Sequence, residues 1–149
     1  LTIIPCRIIP SAGGGVHVEN GKETPVTIQT KQPAKISKDI KGTYPIILNQ
    51  GAMGKITIND IKTENGKTTV KYTAEGKAPY FQAQSLWIED ESGKIVDYKS
   101  YDIKKNTQNP NEFTREFDAL NPNEKYIIYT DDFSNVDFGE DLKFTIKLK

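Results

Sequence analysis

The sequence predicts an all-β protein, and three observations carry that expectation. Apolar residues make up 36% of the chain and are led by Ile and Val with Tyr and Phe, types that fit a pleated surface better than a helix. Eight Pro and eleven Gly break the 149 residues at short intervals, as turns do in a β protein. From Gly54 onward the chain alternates apolar and polar residues in short runs, and about seven strands fit between there and Lys149.

A corner refines the class. Glu112 to Tyr129 reads as strand, tight corner, strand, with Phe113 and Phe117 in the first strand and Tyr126 opening the second. In Leu120-x-Pro122-x-x-x-Tyr126, proline fixes one dihedral at the corner. The tyrosine can place its ring in the core and return its hydroxyl to the corner backbone. This spacing favours an immunoglobulin/fibronectin III-like β-sandwich with additional N-terminal β-strands over an up-and-down barrel. The expected division is a β-rich segment at 1–50, read as the remainder of a preceding domain or a joining piece, and the sandwich at 51–149.

Taken in order, Leu1 to Pro10 is a β segment interrupted by Pro5, which suits an edge or bulge. Ser11 to Gly15 is a joint. Val16 and Val18, then Val26 and Ile28, alternate around Asn20-Gly21, a turn dipeptide. Tyr44 to Leu48 is an apolar run. Ile56 and Ile58 share a face, and Ile61 is out of phase with them, which places a bulge near Asn59-Asp60. Asn65-Gly66 is a hairpin signal. Val70 and Tyr72 alternate with polar residues, Glu75 to Pro79 is a loop, and Leu86 with Ile88 marks a short strand. Ile95 to Ile103 reads as a tyrosine-rich strand. Leu142, Phe144, Ile146 and Leu148 read as a half-buried final strand.

Charge and composition exclude several function classes. Twenty basic and twenty acidic residues are interspersed, so the formal net charge is zero, and no basic stripe suited to nucleic acid is present. Lys31, Lys35, Lys38 and Lys41 are spread out and mixed with Asp39, as on a solvated face. Cys6 is the only cysteine and His17 the only histidine. An intrachain disulfide and a multi-histidine metal centre are therefore excluded, and Gly13 to Gly15 between the two fixes no nucleophile–base geometry. No phosphate loop or Gly-x-Ser-x-Gly elbow occurs. The chain opens on Leu1 rather than Met, as a processed product or excised piece would. No run approaches the roughly 18 apolar residues of a membrane span.

Three constellations remain. The acidic stretch Asp131 to Asp141 offers Asp131, Asp132, Asn135, Asp137, Glu140 and Asp141 as oxygen donors for calcium, or else is an ordinary solvated loop. Glu89, Asp90 and Glu91 are neighbouring carboxylates, but successive strand residues face opposite ways, which does not suit acid–base work on one substrate. Tyr80, Phe81 and Trp87 form the candidate ligand-binding aromatics. Trp87 opposes Leu86 and Ile88 in phase, so it is either core or part of a contact surface.

Four stretches carry a family resemblance. They are Gly54-Lys-Ile-Thr-Ile-Asn-Asp-Ile-Lys-Thr, Thr68-Thr-Val-Lys-Tyr, Leu86-Trp-Ile-Glu-Asp-Glu-Ser-Gly-Lys and Phe113 to Tyr126. Together they resemble the C-terminal immunoglobulin-like domain (DUF5643-like) of DUF4179-type proteins of Bacillus and Clostridium, over roughly Gly54 to Lys149. That family resembles membrane-anchored regulators of the anti-sigma type, with an exported β-rich region. The resemblance implies a non-enzymatic extracytoplasmic sensor, spacer or protein-interaction domain, without cofactor and without catalytic residues. Its partner would be a protein or a cell-wall component, not nucleic acid. The alternative expectation is a carbohydrate- or cell-wall-binding module, with or without stabilising calcium.

Overall fold

The computed structural model describes residues 35–139 and 142–147, together with the strand segments 2–3, 6–8, 16–19 and 22–25. The strands in chain order begin with β1 (Thr2–Ile3), β2 (Cys6–Ile8), β3 (Val16–Glu19), β4 (Lys22–Pro25) and β5 (Lys35–Asp39). Next come β6 (Ile46–Asn49), β7 (Gly54–Glu64), β8 (Lys67–Gly76), β9 (Trp87–Asp90) and β10 (Lys104–Lys105). The last are β11 (Glu112–Asp118), β12 (Tyr126–Asp131), β13 (Val136–Phe138) and β14 (Phe144–Thr145). One short helix, α1, spans Pro79–Gln84. The chain forms two compact units, Leu1–Ala34 with Asn135–Lys149, and Lys35–Ser134.

In the first unit every described ladder is a two-stranded antiparallel pair: β1 with β14, β2 with β13, and β3 with β4. Glu19 pairs with Lys22, whereas Asn20, Gly21, Val26 and Ile28 lie outside the described residues. Among the described residues the half-buried final strand expected from Leu142 onward is not found, and Leu148 lies outside them. The strand shortens to Phe144–Thr145, and Leu142, Phe144 and Ile146 are exposed.

The second unit is built from two antiparallel sheets. One runs β10-β11-β8-β7-β6 and the other β5-β12-β9. Alternation decides which side chains meet between them. Phe113 and Phe117 on β11, Tyr72 on β8 and Ile58 on β7 are buried together with Ile88 on β9 and Ile128 on β12 in one cluster. The expected boundary at residue 50 falls inside this unit, because β6 pairs with β7 and β5 pairs with β12.

Local sequence explains the joints. Asn65 and Gly66 both have positive φ, 50° and 73°, the geometry of a two-residue hairpin turn that matches strand twist. The ladder between β7 and β8 shifts register between Ile58 and Asp60. This is the bulge at Asn59-Asp60, and it returns Ile61 to pack against the core. At the corner the Asn121 N–H donates to the Tyr126 hydroxyl (3.2 Å), which in turn donates to Glu124 (2.8 Å). Leu120 and Tyr126 are both buried beneath it. Tyr126→Phe should therefore cost about 1–2 kcal/mol in urea unfolding, since it removes both bonds of the hydroxyl. A change near zero would show that the hydroxyl does not hold the corner.

Two segments of this second unit depart from the sequence reading. Ile95 to Ile103 is not a strand. The chain first folds back on β9, where Glu89 bridges Ile95, and then reaches the other sheet, where Tyr98 bridges Phe117. A segment crossing between sheets cannot stay in one ladder, although its alternation looks like a strand. The second departure is α1, which lies in a stretch read as loop and short run. It starts on Pro79, whose missing N–H costs nothing at a helix start, and no side chain caps it. Buried polar groups anchor it instead. Tyr72 donates its hydroxyl to the Ala83 carbonyl (2.8 Å). The fully buried Gln82 bonds to Gln50 Oε1 (2.9 Å) and to the Glu75 carbonyl (3.1 Å).

Candidate functional site: an aromatic–carboxylate cluster on the three-stranded sheet

Leu86 and Ile88 are fully buried, which turns Trp87 and Glu89 to the outer side of the three-stranded sheet. On β12 the same alternation buries Tyr126 and Ile128 and turns Ile127 and Tyr129 outward. Trp87 and Tyr129 are register partners across the ladder. Directly opposed residues bring their side chains into contact, and the two rings lie parallel within 9° with centroids 5.6 Å apart. Trp87 is half-buried, not a core residue.

Glu89 and Lys35 complete the cluster. Glu89 Oε1 accepts from Trp87 Nε1 (2.8 Å) and from Lys35 Nζ (3.0 Å). Lys35 Nζ lies 5.5 Å from the centroid of each ring, within the range where an aromatic face attracts a cation. Beneath these groups the Glu89 side chain keeps 10% of its exposure. The Trp87 N–H holds its carboxyl below the usual glutamate range, with Lys35 adding to the effect, and together they outweigh burial.

A depressed folded-state pKa stabilises the fold above the unfolded value. That stability is lost as pH falls through the lower, folded value. The stability difference between wild type and Glu89→Gln should therefore be steady above about pH 5 and shrink below the unfolded glutamate pKa of about 4.3. Urea titrations at several pH values check this, and a difference that grows on acidification would contradict the assignment.

The strand that carries Trp87 is held from inside the core. Arg115 occupies an inward position on β11 between Phe113 and Phe117. Its Nη1 donates to the carbonyls of Gln84 (2.9 Å) and Leu86 (2.7 Å), and its guanidinium lies 4.8 Å from the Tyr98 ring centroid. Arg115 Nε is buried without a partner.

The sequence-derived candidates are distributed over several elements. Tyr80 and Phe81 sit on α1, each about half exposed at 52%. Tyr80 meets Phe113 and Phe81 meets Phe133, at ring distances of 6.2 and 5.6 Å. Trp87 pairs with Tyr129 instead. Glu89 and Asp90 face opposite ways, and Asp90 Oδ1 is engaged by Ser92 and Lys94 backbone N–H groups, which shapes the turn after β9. Asp131 accepts from the Ser85 hydroxyl (2.5 Å), and Asp132 accepts from the Ser134 N–H (2.9 Å) and hydroxyl. Asp137 lies in β13, in the other unit. Among the described residues no three His, Cys, Asp or Glu side chains come together as a metal site, and Glu140 and Asp141 lie outside them. Cys6 and His17 fall on β2 and β3, where only the backbone is described.

Tyr129 was legible from its phase against Tyr126 and Ile128. Lys35 was not, because it lies 54 residues from Glu89 in sequence. A groove of about 310 Å³ beside the corner, lined by Ile40, Tyr44, Ile61, Leu120 and Tyr126, brings no chemistry with it. Its polar groups Tyr44 Oη and Lys41 Nζ are bonded to the Ile40 and Pro122 carbonyls. Among the described residues no helix is long and apolar enough to cross a membrane. No known family, curated protein or solved structure matches this chain.

Proposed function

We propose that the chain is a non-enzymatic interaction domain, an immunoglobulin-like sandwich in the exported region of a DUF4179-type, membrane-anchored, anti-sigma-like regulator. It would act on the extracytoplasmic face of the membrane, holding a protein partner through the outer side of the three-stranded sheet. One observation carries the reading: the two parallel rings of Trp87 and Tyr129 are placed on the outside of a sheet whose other face already supplies the core. Aromatic side chains on an otherwise polar surface are the usual anchors of protein contacts.

A carbohydrate- or wall-binding module is the second reading. The half-buried tryptophan on the outer side of the sheet favours it, since sugars stack on such rings. Calcium enters this reading only as a stabiliser of the acidic loop.

The test incubates the purified chain with isolated Gram-positive walls and, separately, with solubilised membrane proteins, each with and without calcium. Specific retention of a membrane protein that is lost in Trp87→Ser supports the interaction domain. Co-sedimentation with bare walls, lost in the same variant, transfers the assignment to the wall-binding module. Retention unaffected by Trp87→Ser would remove this face from the function.

A further inference from the structure

We propose that Trp87, Tyr129 and Glu89 form a receptor for an alkylammonium group, and that Lys35 is its intramolecular occupant. The inference rests on the reading of this face as the binding surface and names the chemistry it would take. Two aromatic faces and a carboxylate are the elements that hold ammonium ions. Here all three converge on one point. A cation at the position of Lys35 Nζ is 3.0 Å from Glu89 Oε1 and 5.5 Å from both ring centroids.

The carboxylate is aimed by a bond from its own receptor, Trp87 Nε1, at 2.8 Å. It is also largely removed from water, keeping 10% of its exposure. A carboxylate so placed needs a cation to offset its desolvation, and this selects a charged ligand over a neutral one. Lys35 is a replaceable occupant. It stands at the start of β5, an edge strand of its sheet, and its side chain retains 42% exposure. An incoming ligand can displace it without moving the core. The ligand class is an alkylammonium, either the primary amine of a partner's lysine or a quaternary amine.

A tethered lysine competes at a high effective concentration, so removing it should lower the half-saturating ligand concentration about tenfold or more. Trp87 is the chain's only tryptophan, and its emission reports on the site directly. Wild type, Lys35→Ala and the double variant Lys35→Ala/Glu89→Gln are titrated with choline, with N-acetyl-lysine methylamide and with neutral 3,3-dimethylbutanol at constant ionic strength. Lys35→Gln, which keeps most of the stem, is run beside them in case Lys35→Ala does not fold. Circular dichroism checks each variant.

The expected result is a saturable change for a folded Lys35 variant with either cation. It should need a much higher concentration in wild type, be lost in the double variant and be absent with the neutral alcohol. No saturable response in a folded Lys35 variant overturns the proposal. So does an equal response to the neutral alcohol, or one unchanged by Glu89→Gln. The titration uses no partner protein, so its failure is distinct from a Trp87→Ser variant that still retains the partner.

Discussion

Gly76→Ala is expected to lower the free energy of unfolding by about 3–5 kcal/mol, through backbone strain added to lost hydrogen bonds. Gly76 and Gly54 are register partners on β8 and β7, and both have φ in the region that side chains avoid, +149° and +134°. A Cβ on Gly76 would lie 2.0 Å from the Met53 carbonyl oxygen and 2.8 Å from Gln82 Oε1. The first contact is with backbone, which cannot turn aside. That carbonyl also accepts the Lys77 N–H at 2.9 Å, so moving it breaks a bond. The second contact disturbs Gln82, which holds α1 to the sheet. The strained dihedral contributes about 1–3 kcal/mol, and each buried group left unpaired about as much again.

Gly66→Ala is the control. Its φ is +73° but nothing lies within 4 Å of the added carbon, so only the conformational cost of about 1–2 kcal/mol applies. Domains of this kind have only about 5–15 kcal/mol in total, so Gly76→Ala approaches the margin and Gly66→Ala does not. Urea unfolding of both variants separates the effects. Equal losses would mean that the close approach at Gly76 contributes nothing beyond its dihedral.

What was legible in the sequence was what is decided within a few residues. The corner at Leu120 to Tyr126, the Asn65-Gly66 hairpin and the bulge at Asn59-Asp60 each depend on local chemistry. Each appears where its residues stand. Ile95 to Ile103 looks like a strand because its alternation is genuine, although its pairing is not. The strand pattern reports burial on one side, not which sheet supplies the partner. The helix at Pro79 was hidden because it is one and a half turns long, lacks a side-chain cap and is held by Gln82 and Tyr72 rather than by its own propensity.

The site divides in the same way. Trp87 could be placed opposite Leu86 and Ile88 by phase alone. The choice between core and surface waited on knowing that Leu86 and Ile88 face in. Its partners depended on sheet order. Tyr129 adjoins Trp87 only because β12 pairs with β9, and Lys35 reaches Glu89 only because β5 lies on the other side of β12. Tyr80 and Phe81, near Trp87 in sequence, belong to a helix that meets β8 and β7.

Arg115→Ala is expected to cost about 3–5 kcal/mol, from buried carbonyls that lose a charged donor and from the lost packing of its stem, and to disturb Trp87 through the chain that leads into β9. Removing the guanidinium takes the Nη1 donor from the Gln84 carbonyl, at about 1–3 kcal/mol where it stays buried, and leaves the Leu86 carbonyl with only the longer bond from the Tyr98 hydroxyl (3.2 Å). Arg115→Met separates volume from bonding. It refills most of the space but supplies no donor, so it should recover only the packing part of the loss. Arg115→Lys should not restore stability. Lysine's ammonium reaches less far and has no planar face, so it cannot keep both the carbonyl bonds that Nη1 makes and the contact over the Tyr98 ring.

The functional consequence follows from position. Leu86 is the residue before Trp87, and its carbonyl is anchored by Arg115 at 2.7 Å. Loosening that anchor frees the start of β9, and with it the ring that pairs with Tyr129 and bonds Glu89. In wild type, unfolding followed by tryptophan emission and by far-ultraviolet circular dichroism should coincide. In Arg115→Lys the emission should change at lower urea than the dichroism, because the strand entering the site opens before the sheets separate. If Arg115→Met proves as stable as wild type within about 0.5 kcal/mol, the size of an ordinary surface change, the guanidinium is not what holds the segment. The placement of Trp87 would then rest on the apolar packing of Leu86 and Ile88 and on the ladder between β9 and β12.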